Sequence, residues 1–332
     1  MVRVWAGALA AAGMLAGCAP AGTGKVPKAP AAPAAPAGVT FTTLGTNSGP
    51  ISNPARAEAA SLVRAGDTAI LVDAGDGAVE QLAKAGLSIG DLNAVFLSHL
   101  HFDHTGGLFA LVSLRFQAGY AQPLVIYGPP GTKATVEGLL AAMGPGTGAV
   151  RTMRPKGAGE PDSGLTVVEL GDGAVLTVGS VKVVTAANSH YETLPEDARP
   201  VSLSYRFEAP GRTMLFTGDT GPSEAVAALC RGADGKGVDL LVSEIMDPKL
   251  AIKHIRARRP DIPVFALPVV ESHFRKEHLS PDQVGRLGSA CGAKALVLTH
   301  IALLDDELAG AMTAIGKRYS GPVTFARDLG VY

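Results

Sequence analysis

Cysteine is scarce. The 332-residue chain has three, too few for the disulfide scaffold of a small secreted domain. Neither sign of charge is in excess: 29 Lys and Arg against 30 Asp and Glu leave a net charge of −1. The basic balance of a typical nucleic-acid binder is missing, which weighs against a nucleic-acid partner. No internal apolar run reaches the ~18 residues of a membrane span. What is present is apolar: 47% of residues are hydrophobic. That fraction fills a large core and excludes wholesale disorder. The length suits one large domain or two small ones.

The amino terminus reads separately. Met1–Val4 carries one positive charge, on Arg3, and Trp5–Gly17 is uncharged and rich in Ala and Gly. That stretch has the length of a signal-peptide core. It ends in Leu15-Ala16-Gly17-Cys18, which resembles the lipobox of bacterial lipoproteins; an ordinary signal peptide is the plainer alternative. The resemblance implies cleavage before Cys18, membrane attachment through lipid on its thiol, and a place in the bacterial cell envelope. Residues 19–38 contain five prolines among Ala and Gly and read as a semi-rigid tether. Residues 39–332 are then the folded domain.

From Val39 onward strands alternate with helices. Val39–Leu44 and Ser61–Val72 are β-rich, the second broken at Gly66-Asp67. Asp76–Ala85 reads as a helix, Asn93–Ser98 and Leu124–Tyr127 as buried strands, and Thr132–Ala142 as a helix. Gly144–Gly164, rich in Gly and Pro, reads as a surface loop. Leu165–Leu170, Val175–Val178 and Val181–Thr185 read as a meander, and Val201–Phe207 with Thr213–Phe216 as a hairpin. Strand Val238–Val242, helix Pro281–Cys291, strand Ala295–Leu298 and helix Asp305–Tyr319 follow. The pattern predicts α/β layers with sheet packed on sheet.

The histidines carry the chemistry. Three of the eight fall in Ser98-His99-Leu100-His101-Phe102-Asp103-His104, directly after a strand. At period two, His99, His101 and Asp103 point the same way, and His104 joins them where the chain turns. A lone histidine on an apolar strand is usually a satisfied core residue. Four ligand-capable groups at this spacing are a metal site, suited to Zn²⁺, with Mn²⁺ or Fe also possible.

The segment has the full H-x-H-x-D-H signature and resembles the metallo-β-lactamase superfamily. Further residues stand in the expected order: Asp73 at a strand end, His190 after Val181–Thr185, Asp219 in Thr217-Gly218-Asp219-Thr220, and His300 at the end of Leu296–Thr299. Each alone reads as a loop, turn or capping residue; together, after strands, they extend the site. The resemblance covers Val39 to Tyr332 and implies an αββα sandwich with a dinuclear site at one edge of the two sheets. By the family pattern His99, His101 and His190 hold one metal, and Asp103, His104 and His300 the other. Asp219 bridges them, and Asp73 is structural. Cys230 lies eleven residues past the place where β-lactamases proper often carry a cysteine, so β-lactam hydrolysis is disfavoured.

Other features are similar to the ribonuclease Z and arylsulfatase-like branch. Leu44–Pro50 matches its opening Gly-rich loop. Leu240-Leu241-Val242-Ser243-Glu244 stands where that branch has a strand ending in His-Glu-Ala-Thr, with only the Glu kept. His278 precedes the helix Pro281–Cys291 as a second His loop does there. The resemblance implies that Glu244 and His278 assist catalysis and protonate the leaving oxygen. Their plainer readings are a buried Glu and a helix-entry loop. His273 has no spacing argument. His254 lies in a charge run, Lys249–Arg259, that reads as a solvated helix. Cys230 and Cys291 could pair in an oxidising compartment and are expected as separate buried thiols.

These readings converge on a two-metal hydrolase that cleaves phosphodiester or sulfate esters of small or medium size. A divalent cation lowers the pKa of its bound water toward ~7 and makes hydroxide available, with Asp103 orienting or deprotonating that water. Alternatives are ribonuclease Z activity on precursor tRNA, a lactonase or other acyl hydrolase, and a metal-binding surface module without turnover.

Overall fold

The computed structural model describes residues 38–153 and 159–332. The signal segment, Cys18 and the tether up to residue 37 lie outside the described residues. Among the described residues no helix is long and apolar enough to cross a membrane.

Strands β1 (Val39–Gly45), β2 (Ala60–Ala65), β3 (Thr68–Ala74), β4 (Ala94–Phe96), β5 (Leu124–Gly128) and β6 (Leu165–Glu169) form most of one sheet. The other contains β7 (Val175–Val178), β8 (Val181–Ala187), β9 (Leu203–Ala209), β10 (Arg212–Phe216), β11 (Leu240–Ile245), β12 (Leu296–Ile301) and β13 (Val323–Phe325). The terminal β14 (Gly330–Val331) returns to the first sheet beside β1, giving orders β14-β1-β2-β3-β4-β5-β6 and β13-β12-β11-β10-β9-β8-β7. Each sheet opens as an antiparallel meander (β1–β3 and β7–β10) and continues as parallel strands.

Alternation along the strands builds four layers. Ile70 and Val72 face inward and pack with Phe96, Val183, Phe207, Met214 and Val242 between the sheets. Leu71, one residue out of phase, joins Leu82, Leu108 and Leu111 under the first helical layer. Leu215, Leu241 and Leu298 pack against Val226, Val284 and Ile315 under the second. The result is helix, sheet, sheet, helix, the αββα sandwich expected of this sequence. β3, β4, β8, β10, β11 and β12 all end at the same edge, so their carboxyl-end residues meet there, as ligand sites do in parallel sheets.

Three local expectations are corrected. Leu165–Leu170 is not part of the meander: β6 pairs in parallel with β5 in the first sheet, and the chain crosses to the second before β7. Strand pattern alone does not specify the neighbour. The region Gly144–Gly164 is not all loop, because Gly144–Met153 is helical. Pro145 suits a first turn, the Thr147 hydroxyl donates to the Met143 carbonyl (2.9 Å), and Val150 packs on the first core. Cys230 and Cys291 are not separate thiols. They end two helices over the second sheet, Glu224–Arg231 and Pro281–Cys291, and form a disulfide with Cα atoms 5.2 Å apart, a normal spacing.

Candidate metal centre

Hydrogen bonds behind the imidazoles fix which ring nitrogen faces forward. Ser98 Oγ donates to Asp73 Oδ2 (2.9 Å) and lies 3.0 Å from His99 Nδ1. Its one hydrogen is committed, so it accepts from His99 Nδ1–H, and His99 Nε2 keeps a lone pair. His190 Nδ1–H donates to the Glu277 carbonyl (3.1 Å), which leaves His190 Nε2 likewise. Both Nε2 atoms then face His101 Nδ1, at 3.1 and 3.2 Å. His101 Nδ1 can supply at most one hydrogen to these two acceptors, whereas a cation among the three nitrogens satisfies all of them. A tetrahedral ion with ~2.0–2.1 Å bonds to nitrogen has donor–donor edges of about 3.3–3.4 Å, near these separations. Ring N–H groups tied to a carbonyl or hydroxyl are the usual backing of metal-ligating histidines.

A second group adjoins it. His104 Nδ1–H donates to Asp73 Oδ2 (2.8 Å), which turns Nε2 toward Asp103 Oδ2 (3.7 Å) and Asp219 Oδ1 (3.5 Å). His300 places Nε2 3.3 Å from Asp103 Oδ2 and Nδ1 3.4 Å from Asp219 Oδ1. His104 Nε2, Asp219 Oδ1 and His300 Nδ1 are buried without a hydrogen-bond partner among the described residues. Three orphaned polar atoms in one spot are costly unless an ion satisfies them. Ligand atoms lie within 4.8 Å of one another in the triads His99/His101/His190 and Asp103/His104/His300, and Asp219 belongs to three further triads that link them. The His/Asp clusters fit two metal ions. Asp73 and His300 both take positive φ, 58° and 46°, an uncommon conformation for non-glycine residues and one that clusters at functional sites.

The electrostatics divide the two groups. Burial lowers the pKa of His99 and pushes His190 down to about 3. Burial also opposes charge on His104 and His300, but the Asp219 carboxylate outweighs it, helped by Asp73 at His104 and Asp103 at His300, and raises both. Asp103 stays below the usual range: burial would raise it, and the His300 hydrogen bond with the charges of His104 and His300 prevails. Gly49 N–H donates to Asp103 Oδ2 (3.1 Å). A Cβ at Gly49 would stand 2.2 Å from that of Asp103, so the Gly-rich loop needs its glycine here.

Beside this centre His278 Nδ1 lies 2.8 Å from Glu244 Oε2, and Glu244 Oε1 accepts from Thr220 N–H (2.6 Å). Burial and the Asp219 charge push the Glu244 carboxyl up, and burial lowers His278 to about 4. His278 Nδ1 is 4.0 Å from Asp219 Oδ2. A cleft of about 390 Å³ opens over the centre, lined by the loop 47–53, His101, Asp103, His278 and His300. His254 and His273 also line it; neither joins the ligand groups. His254 is held by Glu307 (2.9 Å) and His273 by Glu277 (2.5 Å). The cations of the Lys249–Arg259 run are exposed, with Arg258 at the cleft wall.

Sequence reasoning missed the supports. Ser98 sits one residue before the signature. Glu277, immediately before His278, accepts from His190 through its carbonyl and from Thr193 N–H (2.7 Å) through its side chain. The signal that could have found it is its i,i+4 spacing to His273, with which it pairs.

The comparisons agree with this architecture. The family described as Beta-lactamase superfamily domain matches residues 68–301. The chain belongs to the metallo-β-lactamase superfamily of hydrolases. Within it, the chain is 32% identical over 266 residues to a protein named Ribonuclease Z from Mycobacterium sp. (strain KMS), covering 79% of this chain and 84% of that one. Among solved structures it is similar to the metallo-beta-lactamase fold protein YhfI from Bacillus subtilis (TM-score 0.62, 20% identity, 89% of this chain and 98% of that one). It is also similar to the short form of human tRNase Z (TM-score 0.57, 21% identity, 88% and 98%). One expectation falls here. The balanced net charge weighed against a nucleic-acid partner, yet the chain has ribonuclease Z homologues. Net charge sums the whole surface, whereas substrate contact depends on the groups around one cleft.

Proposed function

We propose that the protein is a zinc-dependent phosphodiesterase of the ribonuclease Z kind, acting on nucleotide-type phosphodiesters rather than sulfate esters. The observation that carries this reading is the pairing of two ligand triads around Asp219 with the Glu244–His278 couple at their side. Ribonuclease Z relatives at 32% identity point to the same bond type. The His-rich donor set suits zinc. When bound, two such ions supply positive charge for a phosphoryl transition state and acidify a water. The remaining chemistry belongs to the chain. Asp103, with Oδ2 engaged by Gly49, has Oδ1 to orient the attacking water. His278 lines the cleft, and with Nδ1 on Glu244 it presents Nε2–H to the leaving oxygen. As that proton departs, Glu244 replaces it at Nδ1. The lipobox-like Leu15–Cys18 and the Cys230–Cys291 disulfide support a place in an oxidising envelope compartment.

The test is substrate profiling with metal-replete protein. Bis(p-nitrophenyl) phosphate and precursor tRNA should be cleaved in preference to p-nitrophenyl sulfate, a lactone and nitrocefin. His278→Ala should slow alkyl-leaving phosphodiesters by ~10²–10⁴ and aryl-leaving ones far less, because a nitrophenolate hardly needs a proton. Preference for the sulfate or lactone, or equal slowing of both ester types, contradicts the reading.

A further inference from the structure

Phe102 has no core to join. It sits between His101 and Asp103, its side chain is on the wall of the cleft, and it is 87% exposed. Such an exposed ring adds little to the core, and this one stands on the cleft wall between two candidate metal ligands. Its backbone is nonetheless fixed. Gly106 N–H donates to the Phe102 carbonyl (2.6 Å), and the preceding His101 carbonyl accepts from His104 N–H (3.1 Å) and the Thr105 hydroxyl (3.0 Å). The ring is therefore presented from a rigid turn. Other apolar side chains line the same cleft, among them Ile255, Phe274 and Leu304, and Arg258 adds a cation at its wall. At about 390 Å³ the cleft is the size of sites that enclose small ligands.

We propose that Phe102 is the specificity-determining residue of this cleft, a platform on which a planar ring on the retained side of the scissile phosphodiester stacks. This rests on the phosphodiesterase reading. His278, given the leaving oxygen there, is carried by the second sheet's side of the site, next to Phe274 with ring centres 6.1 Å apart. Phe102 follows β4 of the first sheet, and we assign it to the group that stays on phosphorus. A nucleobase and a simple aryl ester share this chemistry. Base–aromatic stacking contributes ~1–3 kcal/mol, about 5–150-fold in affinity.

Three esters with the same p-nitrophenolate leaving group isolate the effect: the thymidine 5′, phenyl and methyl p-nitrophenyl phosphates. In Phe102→Ala the kcat/KM ratio of ring-bearing to methyl ester should fall about 5–150-fold, through KM, and Phe102→Trp should restore it. A larger fall for the thymidine ester than for the phenyl ester assigns the platform to nucleobases; equal falls assign it to aryl rings in general. An unchanged ratio overturns the proposal while leaving the phosphodiesterase reading intact. Calorimetry of thymidine 5′-monophosphate binding makes the same comparison without turnover. If the wild type cleaves none of the three esters, the phosphodiesterase reading fails, and an affinity equal in wild type and Phe102→Ala then overturns the platform as well.

Discussion

His99, His104 and His190 each commit one ring N–H to a neighbour: Ser98, Asp73 and the Glu277 carbonyl. Their other nitrogens are turned by those bonds toward the edge of the sandwich, so the supports define the donors. The two triads differ in how they hold protons. His99 and His190 are kept neutral by burial, whereas Asp219 raises His104 and His300. A protonated imidazole cannot bind metal, so acidification should release the ions. Metal analysis after dialysis between pH 8 and 4 checks this, and metal content that does not change over that range contradicts the His/Asp ligand set. At this scale the sequence was most legible where ligands are close together: His99 and His101 could be grouped by period, whereas Asp103 and His104 reach the site from a helical turn, Phe102–Thr105, that the period-two reading did not foresee. Glu277 could not be grouped by period, because it acts on His190 through a backbone carbonyl that any residue possesses.

Elements bring the distant ligands together. His190, Asp219, Glu244 and His300 follow or end β8, β10, β11 and β12, and all four strands finish at the edge where β3 and β4 finish. Runs such as Leu240–Val242 and Leu296–Leu298 were readable as buried strands because both of their faces are covered. Pairing was less readable, as β6 shows, and so was the helix Leu267–Glu277, which carries His273 and Phe274 to the cleft. The disulfide was missed because two helix-borne thiols reveal nothing of their separation until the helices are docked. It closes a long loop, a sequence separation of 61 residues. Replacing both cysteines with serine should lower stability by about 2–4 kcal/mol, read as a fall in the urea midpoint at constant slope. An unchanged midpoint, or two titratable thiols in the native protein, counts against the cross-link.

At the scale of the whole molecule we propose that a lipid anchor is joined to the hydrolase domain. Cys18, outside the described residues, is proposed as the lipid acceptor. Cys18→Ala should abolish incorporation of a labelled fatty-acid analogue in the producing cell, and equal labelling of wild type and variant removes the anchor. The central claim is that two metal ions, held in triads joined by Asp219, make this chain a phosphodiesterase. Stripping the protein with chelator and adding Zn²⁺ stepwise, while following bis(p-nitrophenyl) phosphate hydrolysis, tests it most directly. The account predicts activity that rises to a plateau at two equivalents per chain and is largely lost in Asp219→Ala. A plateau at one equivalent, or hydrolysis that ignores added metal, contradicts it.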